Sequence, residues 1–517
     1  MKPRNYSRLL KVSIFATGLS GIVAEYILAT MASYFLGDSV FQWTIILSLM
    51  LFSMGLGSRF SKKIERNLIQ YYIGLELLLS ILTSFSVILI YTIMPFTASL
   101  DVIIYLLSCC IGFLIGMEIP LVTRINEEYE ELKTNISSMM ENDYYGSLVG
   151  GLFFAFIGIR FLGLTYTPFI VGGINLAIAL ILFFTFRRLN KQKSLTKLYV
   201  FAGGTLLIFI LGVVFSNPIV QFGNQGRFNE QVVFTKQTPY QEITITKWQD
   251  RYQLYLNQGK QLSSFDEWLY HEPLVHPVMS LTKGKVDVLV MGAGDGCAVR
   301  ELLKYDRVNS ITLVDLDSTM TTLAKEHPIF RKLNQDALSS KRVTIVNTDA
   351  FHYLETQNTY FDVIIADFPD PRSIEVNKLY TLEFYKLCAK RLSKNGAIVT
   401  QSTSPYYTTH AFRCIEKTMQ YADFNTLPMH NHVYSFGEWS WVIGSRSLTA
   451  EQIKKAIENT PTHKIDGLKW MNKASLQLLT SFGQDLITVD TAELNVNSIH
   501  NPSLYKYYEN GDWSFEF

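Results

Sequence analysis

Apolar residues dominate the chain up to about residue 220, in long and nearly uninterrupted segments. Most of these segments approach the roughly 20 residues that a helix needs to cross a bilayer. A secretory signal peptide would explain only one of them. The pattern therefore predicts a multi-pass transmembrane domain over residues 1–220. Its seven apolar segments are 9–36, 39–58, 69–94, 102–119, 144–161, 166–186 and 198–215.

Basic residues are unevenly distributed around these segments. The loops after the first and third segments contain no Lys or Arg. By the positive-inside rule, this bias places the N-terminus in the cytoplasm, and seven crossings would then place the rest of the chain outside. The basic residues that carry the bias are Lys2, Arg4, Arg8 and Lys11 before the first segment, Arg59, Lys62, Lys63 and Arg66 after the second, and Arg187, Arg188, Lys191, Lys193 and Lys197 after the sixth.

Three acidic residues, Glu25, Glu76 and Glu118, lie within or at the ends of apolar segments. Charge at membrane depth is costly and often functional. A position near an interface, or a helix–helix contact, is the alternative for Glu76 and Glu118. Glu25 lies in the middle of a segment and is the best candidate for a buried polar role. The glycine-rich stretches in these segments favour close helix packing over ligand binding.

From about residue 226 the hydrophobic pattern shortens and alternates. Residues 242–247 and 252–256 alternate apolar and polar around a turn at 257–259, which predicts a small antiparallel β domain at 221–285. Strands then alternate with helices such as 298–304 and 379–392. This predicts an α/β domain at 286–447 with a mostly parallel sheet, followed by a C-terminal helical cap at 448–517. The predicted core strands are 286–291, 310–314, 343–347, 361–366, 397–401 and 439–444.

Composition excludes some function classes. The chain has 46 Lys and Arg against 45 Asp and Glu, for a net charge of +1, so no nucleic-acid partner is indicated. Its five cysteines fit neither metal-ligand nor disulfide spacing, which suits a reducing compartment. We predict no metal site.

The most informative motif is a buried strand that runs into a glycine turn, Val288-Leu-Val-Met-Gly-Ala-Gly-Asp-Gly296. A helix N-terminus behind such a turn is where α/β sheets hold adenosine-type ligands. A turn that binds phosphates or a ligand carboxylate would not favour a carboxylate at Asp295. This residue therefore indicates a ligand with a cationic end.

Further acidic residues follow the next predicted strands. Asp315 and Asp317 end the second strand, Asp349 follows the third, and Asp367 and Asp370 follow the fourth. Turn structure is the alternative for each of them alone, since Asp is common in turns. Together they place carboxylates on one rim of the sheet, where they would attract a polyamine. One of them, with its pKa raised by its neighbours, would take a proton from an ammonium so that its nitrogen can attack a sulfonium donor.

The C-terminal half resembles the spermidine synthase, or polyamine aminopropyltransferase, family from about residue 240 to 444. The N-terminal half resembles, less specifically, the multi-span region fused to this domain in some bacterial members. The resemblance implies a Rossmann-like, methyltransferase-type core. The motifs that carry it are Tyr240-Gln-Glu-Ile243, Leu256-Asn-Gln-Gly-Lys-Gln261, Asp266-Glu-Trp-Leu-Tyr-His-Glu272, Gly292-Ala-Gly-Asp-Gly296, Val314-Asp-Leu-Asp317, Asp349-Ala350, Asp367-Phe-Pro-Asp-Pro371 and Leu379-Tyr380.

The family resemblance implies transfer of an aminopropyl group from decarboxylated S-adenosylmethionine to putrescine, giving spermidine and methylthioadenosine. The nucleoside is a co-substrate, so no cofactor is expected. Partners implied are these two substrates and the bilayer, and a homo-oligomer is also considered. The implied roles are proton acceptor for Asp367; amine binding for His271, Asp295, Asp370, Tyr270 and Tyr434; and nucleoside binding for Gln241, Gly292, Gly294, Asp315, Asp349 and Ala350.

This sequence departs from the family pattern at three places. Asp315 stands where the family usually has Glu, and Ala293 replaces a glycine of the turn. Arg372 follows Asp370-Pro371 in place of a Gly-Pro-rich segment and adds positive charge near a cationic substrate. These differences leave the acceptor amine open. Because the substrates are cytosolic metabolites, we expect a cytoplasmic catalytic half, which requires one apolar segment not to cross or an eighth crossing to exist.

Two other functions fit parts of the pattern. The first is an S-adenosylmethionine-dependent methyltransferase on the same fold. Such an enzyme needs a pocket that accepts the ligand carboxylate, and the negative charge of Asp295 argues against such a pocket. The second is a membrane polyamine sensor or transporter whose soluble half binds ligand without turnover. Glu25 supports it, and the intact Asp367 and Asp370 argue against it. His271 also has a purely structural alternative.

Overall fold

The computed structural model describes residues 3–37, 39–97, 99–186, 195–483, 489 and 491–512. The chain divides into two compact units, Met1–Val232 and Val233–Phe517. The domain boundary expected at residue 220 lies inside the last helix of the first unit. Among the basic residues cited above, Lys2, Arg187, Arg188, Lys191 and Lys193 lie outside the described residues.

The first unit is helical, and six of the seven apolar segments each lie, to within one residue, in one α-helix. The fifth, 144–161, instead covers the end of one helix and the π-helical stretch after it. A π-helical stretch, Phe154–Leu162, joins the fifth helix to the sixth. The helices are α1 (Pro3–Leu36), α2 (Ser39–Ser61), α3 (Leu68–Ile93), α4 (Leu100–Asn126), α5 (Leu132–Phe153), α6 (Gly163–Phe186) and α7 (Leu195–Gly226).

Six helical stretches among the described residues are long and apolar enough to cross a membrane, by length and composition. The longest of them, Leu132–Phe186, has 55 residues and includes both α5 and α6. At 1.5 Å per residue it would be about 80 Å long, far more than the roughly 30 Å of a bilayer core. Gly163, with φ of 65°, has a backbone conformation that a continuing right-handed helix lacks. The stretch is therefore long enough for two crossings.

Contacts between the helices show that they alternate in direction. Helices α1 and α5 are parallel, because residue numbers increase in both helices along their line of contact. A Cβ on Gly146 would lie 2.0 Å from Phe15 O, and one on Gly150 would lie 2.5 Å from Leu19 O. Helices α1 and α6 are antiparallel, because residue numbers fall along α6 as they rise along α1. Helices α3 and α7 run with α1, and α4 runs against it. Helix α2 is parallel to α4, because Gln42 contacts Tyr105 and Ser61 contacts Arg124. The contacts that show this are Tyr6–Phe186, Ser20–Asn175, Ser13–Tyr72, Phe35–Tyr91, Phe85–Gly212, Tyr91–Gly223, Gly21–Ile115 and Lys11–Glu130.

The second unit begins with a four-stranded sheet in the order β1-β2-β3-β4, and its central pairs are antiparallel. The antiparallel sheet predicted from the alternating pattern is present. Its strands are β1 (Gln231–Gln237), β2 (Glu242–Trp248), β3 (Arg251–Leu256) and β4 (Gly259–Ser263).

A seven-stranded sheet forms the centre of this unit, in the order β10-β11-β9-β8-β5-β6-β7. The strands from β9 to β7 are parallel, and β11 and β10 join the edge antiparallel. The predicted α/β class is therefore confirmed. The strands are β5 (Val286–Gly292), β6 (Val308–Asp315), β7 (Val343–Asn347), β8 (Phe361–Asp367), β9 (Leu392–Gln401), β10 (Asn425–Val433) and β11 (Gly437–Ser445).

Helices cover both faces of this sheet. Alternate side chains of β5 point to opposite faces, so that Val288 and Val290 pack in one apolar core and Leu289 and Met291 in another. A strand buried on both faces reads as a continuous apolar run, which is why it was recognisable in the sequence. The helices are α8 (Trp268–Ser280), α9 (Cys297–Leu303), α10 (Ser318–Glu326), α11 (Pro328–Asn334), α12 (Ala350–Thr356), α13 (Ile374–Asn377), α14 (Leu382–Arg391), α15 (Thr409–Tyr421), α16 (Ala450–Glu458), α17 (Lys473–Leu479) and α18 (Leu504–Glu509).

The tail after residue 447 packs on the core through α16, α17, α18 and polar contacts. Asn497 is fully buried and donates from Nδ2 to the carbonyl of Tyr380 at 3.0 Å. Its Oδ1 accepts from the backbone N–H of Ser503 at 3.1 Å. The tail thus brings α18 towards the carboxyl ends of the strands. The aromatic residues at the chain end lie outside the described residues.

Candidate active site

The site lies where β5, β8 and β6 end side by side. In the ladder between β5 and β8, Gly292 pairs with Asp367, so that the glycine turn and the fourth-strand carboxylate are adjacent. Gly292 has φ of 76°, and a Cβ there would lie 2.0 Å from the carbonyl oxygen of Asp367. Only glycine fits this position, because both the backbone conformation and the space exclude a side chain.

Asp295 lies at the start of α9 and faces the site. Its Oδ1 accepts a hydrogen bond from the backbone N–H of Cys297 at 2.7 Å, which satisfies a free donor of the helix N-terminus. The same oxygen lies 3.9 Å from Nε2 of His271. Asp295 therefore both caps the turn and contributes negative charge beside His271.

Asp315 ends β6 and leans over the glycine turn. A Cβ on Gly294 would lie 2.5 Å from its Oδ2, so the missing side chain of Gly294 makes room for this carboxylate. Burial raises the pKa of Asp315 to about 6, against the hydrogen bond that its Oδ1 accepts from the N–H of Asp317 at 2.9 Å. This position suits a residue that accepts hydrogen bonds from a nucleoside sugar at the turn.

Gln241 and Asp317 form a separate polar pair. Gln241 donates from Nε2 to Oδ2 of Asp317 at 3.0 Å, and Thr238 donates to the same oxygen at 2.8 Å. The other oxygen of Asp317 caps α10 by accepting from Thr319 N–H at 2.9 Å. Asp317 therefore has a structural role, as a helix cap where the alternative hypothesis was a turn residue, and it fixes Gln241.

Asp349 caps α12, whose first residue is the buried Ala350. Its Oδ1 accepts from the N–H of His352 at 3.0 Å, and Lys378 Nζ lies 2.5 Å from its Oδ2. Partial burial opposes ionisation of Asp349, but the hydrogen bonds from Lys378 and the backbone outweigh it and lower its pKa. The carboxylate stays charged, next to the small side chain of Ala350.

Asp367 ends β8 beside the glycine turn and contacts α8. Its Oδ1 accepts a hydrogen bond from the hydroxyl of Tyr270. Burial raises the pKa of Asp367 to about 6; the nearby His271 and the hydrogen bond from Tyr270 lower it in part, and Asp295 raises it. Burial and the charge of Asp367 raise the pKa of Tyr270 well above its usual value, so its hydroxyl remains a donor. A carboxylate in this state is a usable base near neutral pH.

His271 is held from behind by a buried ion-pair network. Its Nδ1 lies 2.8 Å from the carbonyl of Glu267 and 3.0 Å from Oε2 of Glu267, which in turn pairs with Arg300 at 2.8 Å. Burial alone would lower the pKa of His271, but Glu267, Asp295 and Asp367 outweigh it and raise the pKa to about 9. His271 is therefore a cation among the site carboxylates at neutral pH.

Asp370 is held by three side chains beyond the turn after β8. Gln401 donates from Nε2 to its Oδ1 at 3.1 Å, and Tyr508 of α18 donates to its Oδ2 at 2.9 Å. Nη2 of Arg372 lies 3.7 Å from Oδ2, and Nε of the same side chain donates to the Tyr508 hydroxyl at 3.2 Å. Burial raises the pKa of Asp370, although Arg372 and the two donors oppose the shift.

Of the predicted site residues, Tyr270, His271, Asp295, Asp367 and Gly292 lie together, and Asp315 and Gly294 adjoin them across the turn. Asp370 follows Asp367 within the same loop. Tyr434 is 66% exposed, and its ring contacts are with Phe265 and His432 rather than with these carboxylates.

Glu267, His271 and Cys297 have ligand atoms within 4.8 Å of one another, close enough for a metal ion. However, Arg300 already donates to both carboxylate oxygens of Glu267, at 2.9 and 2.8 Å. Burial and nearby carboxylates raise the pKa of the Cys297 thiol well above its usual value, and thiols bind metals as thiolates. These three side chains therefore form the base of the site rather than a metal centre.

Sequence reasoning missed four residues of this site: Gln401, Tyr508, Glu267 and Arg300. Gln401 had a usable signal, because it is a polar residue at the carboxyl end of a predicted parallel strand. Tyr508 had none, since the tail contact with Asp370 spans 138 positions. Glu267 and Arg300 lie in the recognised motif and in α9, but their pairing is a tertiary contact.

Comparison with known proteins identifies relatives of this chain. The family model described as "Spermine/spermidine synthase domain" matches residues 267–455. The polyamine aminopropyltransferase of Leptospira interrogans is 37% identical over 506 residues, covering 98% of each chain. Polyamine aminopropyltransferase 2 of Aquifex aeolicus is 37% identical over 504 residues, covering 97% of this chain and 98% of its own.

Among solved structures, the crystal structure of spermidine synthase from Thermotoga maritima matches with 24% identity and a TM-score of 0.45. It covers 50% of this chain and 87% of its own. The two curated relatives match over nearly their full length, including the helical unit, at an identity that places this chain in their family. The chain belongs to the spermine/spermidine synthase family of polyamine aminopropyltransferases, and it is an aminopropyl-transferring enzyme of polyamine biosynthesis.

Proposed function

We propose that the enzyme transfers the aminopropyl group of decarboxylated S-adenosylmethionine to putrescine, giving spermidine and methylthioadenosine, with Asp367 as the proton acceptor. The observation that carries this assignment is the position of Asp367. It combines a pKa near 6, a hydrogen bond from Tyr270 and a place beside the glycine turn. Asp370 follows it on the same loop, and we assign it to the other end of the amine.

The donor is assigned to the turn between β5 and α9. Asp315 would accept from the ribose hydroxyls, with Gln241 nearby, and Asp349 with Ala350 would line the adenine. The aminopropyl end would extend past Gly294 towards Asp295 and His271. Because His271 is cationic, it would repel an ammonium. We therefore assign it to orient Asp295 and Asp367 and to offset part of their negative charge.

The acceptor is assigned to Asp367 and Asp370, with Tyr270 flanking its path. The same role for the exposed Tyr434 rests on the family resemblance alone. Asp367 takes one proton from the attacking ammonium, which frees the nitrogen lone pair. The nitrogen forms a bond to the carbon next to the sulfonium, and the carbon–sulfur bond breaks with its electron pair going to sulfur. The product keeps the positive charge as a secondary ammonium, and Asp367 returns its proton to solvent. Positioning supplies much of the rate in such a displacement.

A product assay separates this function from its competitors. The full chain in detergent is incubated with decarboxylated S-adenosylmethionine or with the ordinary form, against a panel of diamines and longer amines, and products are read by mass spectrometry. We expect aminopropylated amine and methylthioadenosine from the decarboxylated donor only. Methylated product from the ordinary donor would instead support the methyltransferase. Ligand binding with no product from either donor would support a sensor.

The pH profile tests the base directly. Because Asp367 must be ionised to accept a proton and its pKa lies near 6, kcat/KM should fall about tenfold per pH unit below pH 6. The hydrogen bond from Tyr270 stabilises the carboxylate, so Tyr270→Phe should move this acid limb to higher pH. Tyr360→Phe, an exposed tyrosine, is the matched control and should leave the limb in place. If Tyr270→Phe leaves the acid limb of the pH profile unchanged, the assignment of Asp367 as the base is contradicted.

We propose that the helical unit spans the cell membrane and that the catalytic unit faces the cytosol, where its donor is made. The alternating directions of α1 to α7 support seven crossings, which place the two ends of the helical unit on opposite sides. The cytosolic assignment therefore requires an outward-facing N-terminus, against the positive-inside rule. A reporter fused after Phe517 should be active only in the cytoplasm. Activity of a periplasmic reporter at that site would overturn the assignment and uphold the charge rule.

A further inference from the structure

A ladder of polar side chains runs through the interior of the helical unit. On α1, Ser13 accepts from the hydroxyl of Tyr72 on α3 at 2.9 Å. About two turns further along α1, Ser20 donates to Oδ1 of Asn175 on α6 at 2.7 Å. Between these two contacts lies Thr17, also buried. The hydroxyls of Ser13, Thr17 and Ser20 are also satisfied by carbonyls of their own helix. An ionisable group at this depth, in contrast, is costly and often functional.

Two carboxyl groups lie within this ladder. Glu76 on α3 is fully buried beside the hydroxyl of Tyr72, and its oxygens have no other hydrogen-bond partner among the described residues. Glu118 on α4 is 2% exposed, and its Oε1 also has no partner there. The two interact electrostatically, and Asp143 on α5 adds to the field at Glu118. In the described part of the chain, no Lys, Arg or His forms an ion pair with any of the three.

A second and independent observation comes from neutral side chains. Ser80 and Ser84 lie one and two turns beyond Glu76 on α3, are fully buried, and have hydroxyls with no partner among the described residues. The same is true of Nδ2 of Asn175, whose Oδ1 is engaged by Ser20. Gly172, three residues before Asn175, brings α6 against Ser84. These polar groups continue the line from Tyr72 and Glu76, and buried polar groups in native proteins are normally paired.

We propose that this seam binds a linear alkylammonium cation, a di- or polyamine, between α1, α3, α4 and α6, with Glu76 and Glu118 as its counter-ions. An ammonium offers three N–H donors and no acceptor, which matches carboxylate and hydroxyl oxygens. A small inorganic cation generally needs six or more oxygens. Apart from the carbonyls freed by Pro120 in α4 and Pro168 in α6, the helix carbonyls are engaged in backbone hydrogen bonds. Polar positions four residues apart repeat about every 6 Å along α3, so they can follow an extended amine.

The ligand class rests on the aminopropyltransfer function, because amines of this kind are its acceptor and product. In addition to aminopropyl transfer by the catalytic unit, the helical unit would have a binding site of its own. A site of this kind would let the unit sense or pass the cation whose amount the catalytic unit controls.

The test uses the full chain in lipid nanodiscs and a hydrophobic carbodiimide, which modifies buried carboxyl groups in their protonated form. Peptide mass spectrometry follows labelling of Glu76 and Glu118 with and without spermidine, and with NaCl at equal ionic strength. We expect spermidine to slow labelling at least tenfold and NaCl to have little effect. Labelling that is unaffected by spermidine, or slowed equally by NaCl, would overturn the proposal.

Binding measurements provide the second arm. Equilibrium dialysis with radiolabelled spermidine should find a site that survives Asp370→Asn and is lost when Glu76→Gln and Glu118→Gln are added. Glu65→Gln, an exposed acid after α2, is the matched control and should keep both sites. Aminopropyl transfer is measured on the same nanodiscs. If aminopropyl transfer occurs but spermidine does not slow labelling of the carboxyl groups, only this inference is overturned. If spermidine slows labelling but no aminopropyl transfer occurs, only the proposed function is overturned.

Discussion

Replacing Asp367 with Asn should lower kcat by about 10²–10⁴, the usual cost of losing a general base. The amide keeps the shape of the side chain and can still accept from Tyr270, but it cannot take a proton from the acceptor ammonium. Because the nucleoside is assigned to Asp315 and the glycine turn, its affinity should change little. Turnover measured by methylthioadenosine release, and nucleoside affinity measured by calorimetry, separate the two effects.

Asp250→Asn is the matched control for this variant. Asp250 lies exposed in the turn between β2 and β3, and its replacement makes the same chemical change outside the site. It should leave both turnover and nucleoside affinity unchanged. Near-normal turnover of Asp367→Asn would show that Asp367 is not the base. If nucleoside affinity falls as much as turnover does, the substitution has disturbed the glycine turn.

The parallel core and the line of carboxylates were predictable because each depends on local sequence. Strands buried on both faces appear as apolar runs, and an acid directly after such a run lies on the carboxyl rim of the sheet. Strand β10 was not predicted, because His430, His432 and Pro428 interrupt its apolar pattern. It forms because it pairs along its whole length with β11.

The parts of the site that were missed depend on contacts between distant positions. The charge of His271 follows from Glu267, Asp295 and Asp367 around it, and only the fold brings these carboxylates together. Likewise, Tyr508 reaches Asp370 because the buried Asn497 fixes the path of the tail. In the helical unit, the sequence singled out Glu25, whereas the structure shows Glu76 and Glu118 to be the more deeply buried pair.

Replacing Asp295 with Asn should narrow the preference for decarboxylated over ordinary S-adenosylmethionine. The two donors differ by one carboxylate at the end assigned to Asp295. In a partly desolvated pocket, like charges in contact cost several kcal/mol, so Asp295 would exclude the ordinary donor by repulsion. The cationic His271, 3.9 Å away, offsets part of this charge. We therefore expect the ratio of the two affinities to shrink by about 10–100-fold, or roughly 1.4–2.8 kcal/mol.

The variant is informative because it should leave the turn intact. Asn keeps a side-chain oxygen where Asp295 has one and forms the same local turn, so it can still accept from Cys297 N–H. Asp315→Asn is the matched control, since the ribose is common to both donors and this change should weaken both by the same factor. Calorimetry with each donor on each variant measures the ratios. If Asp295→Asn leaves the ratio unchanged while Asp315→Asn weakens both donors, Asp295 serves the helix start alone, and donor selection must reside elsewhere in the site.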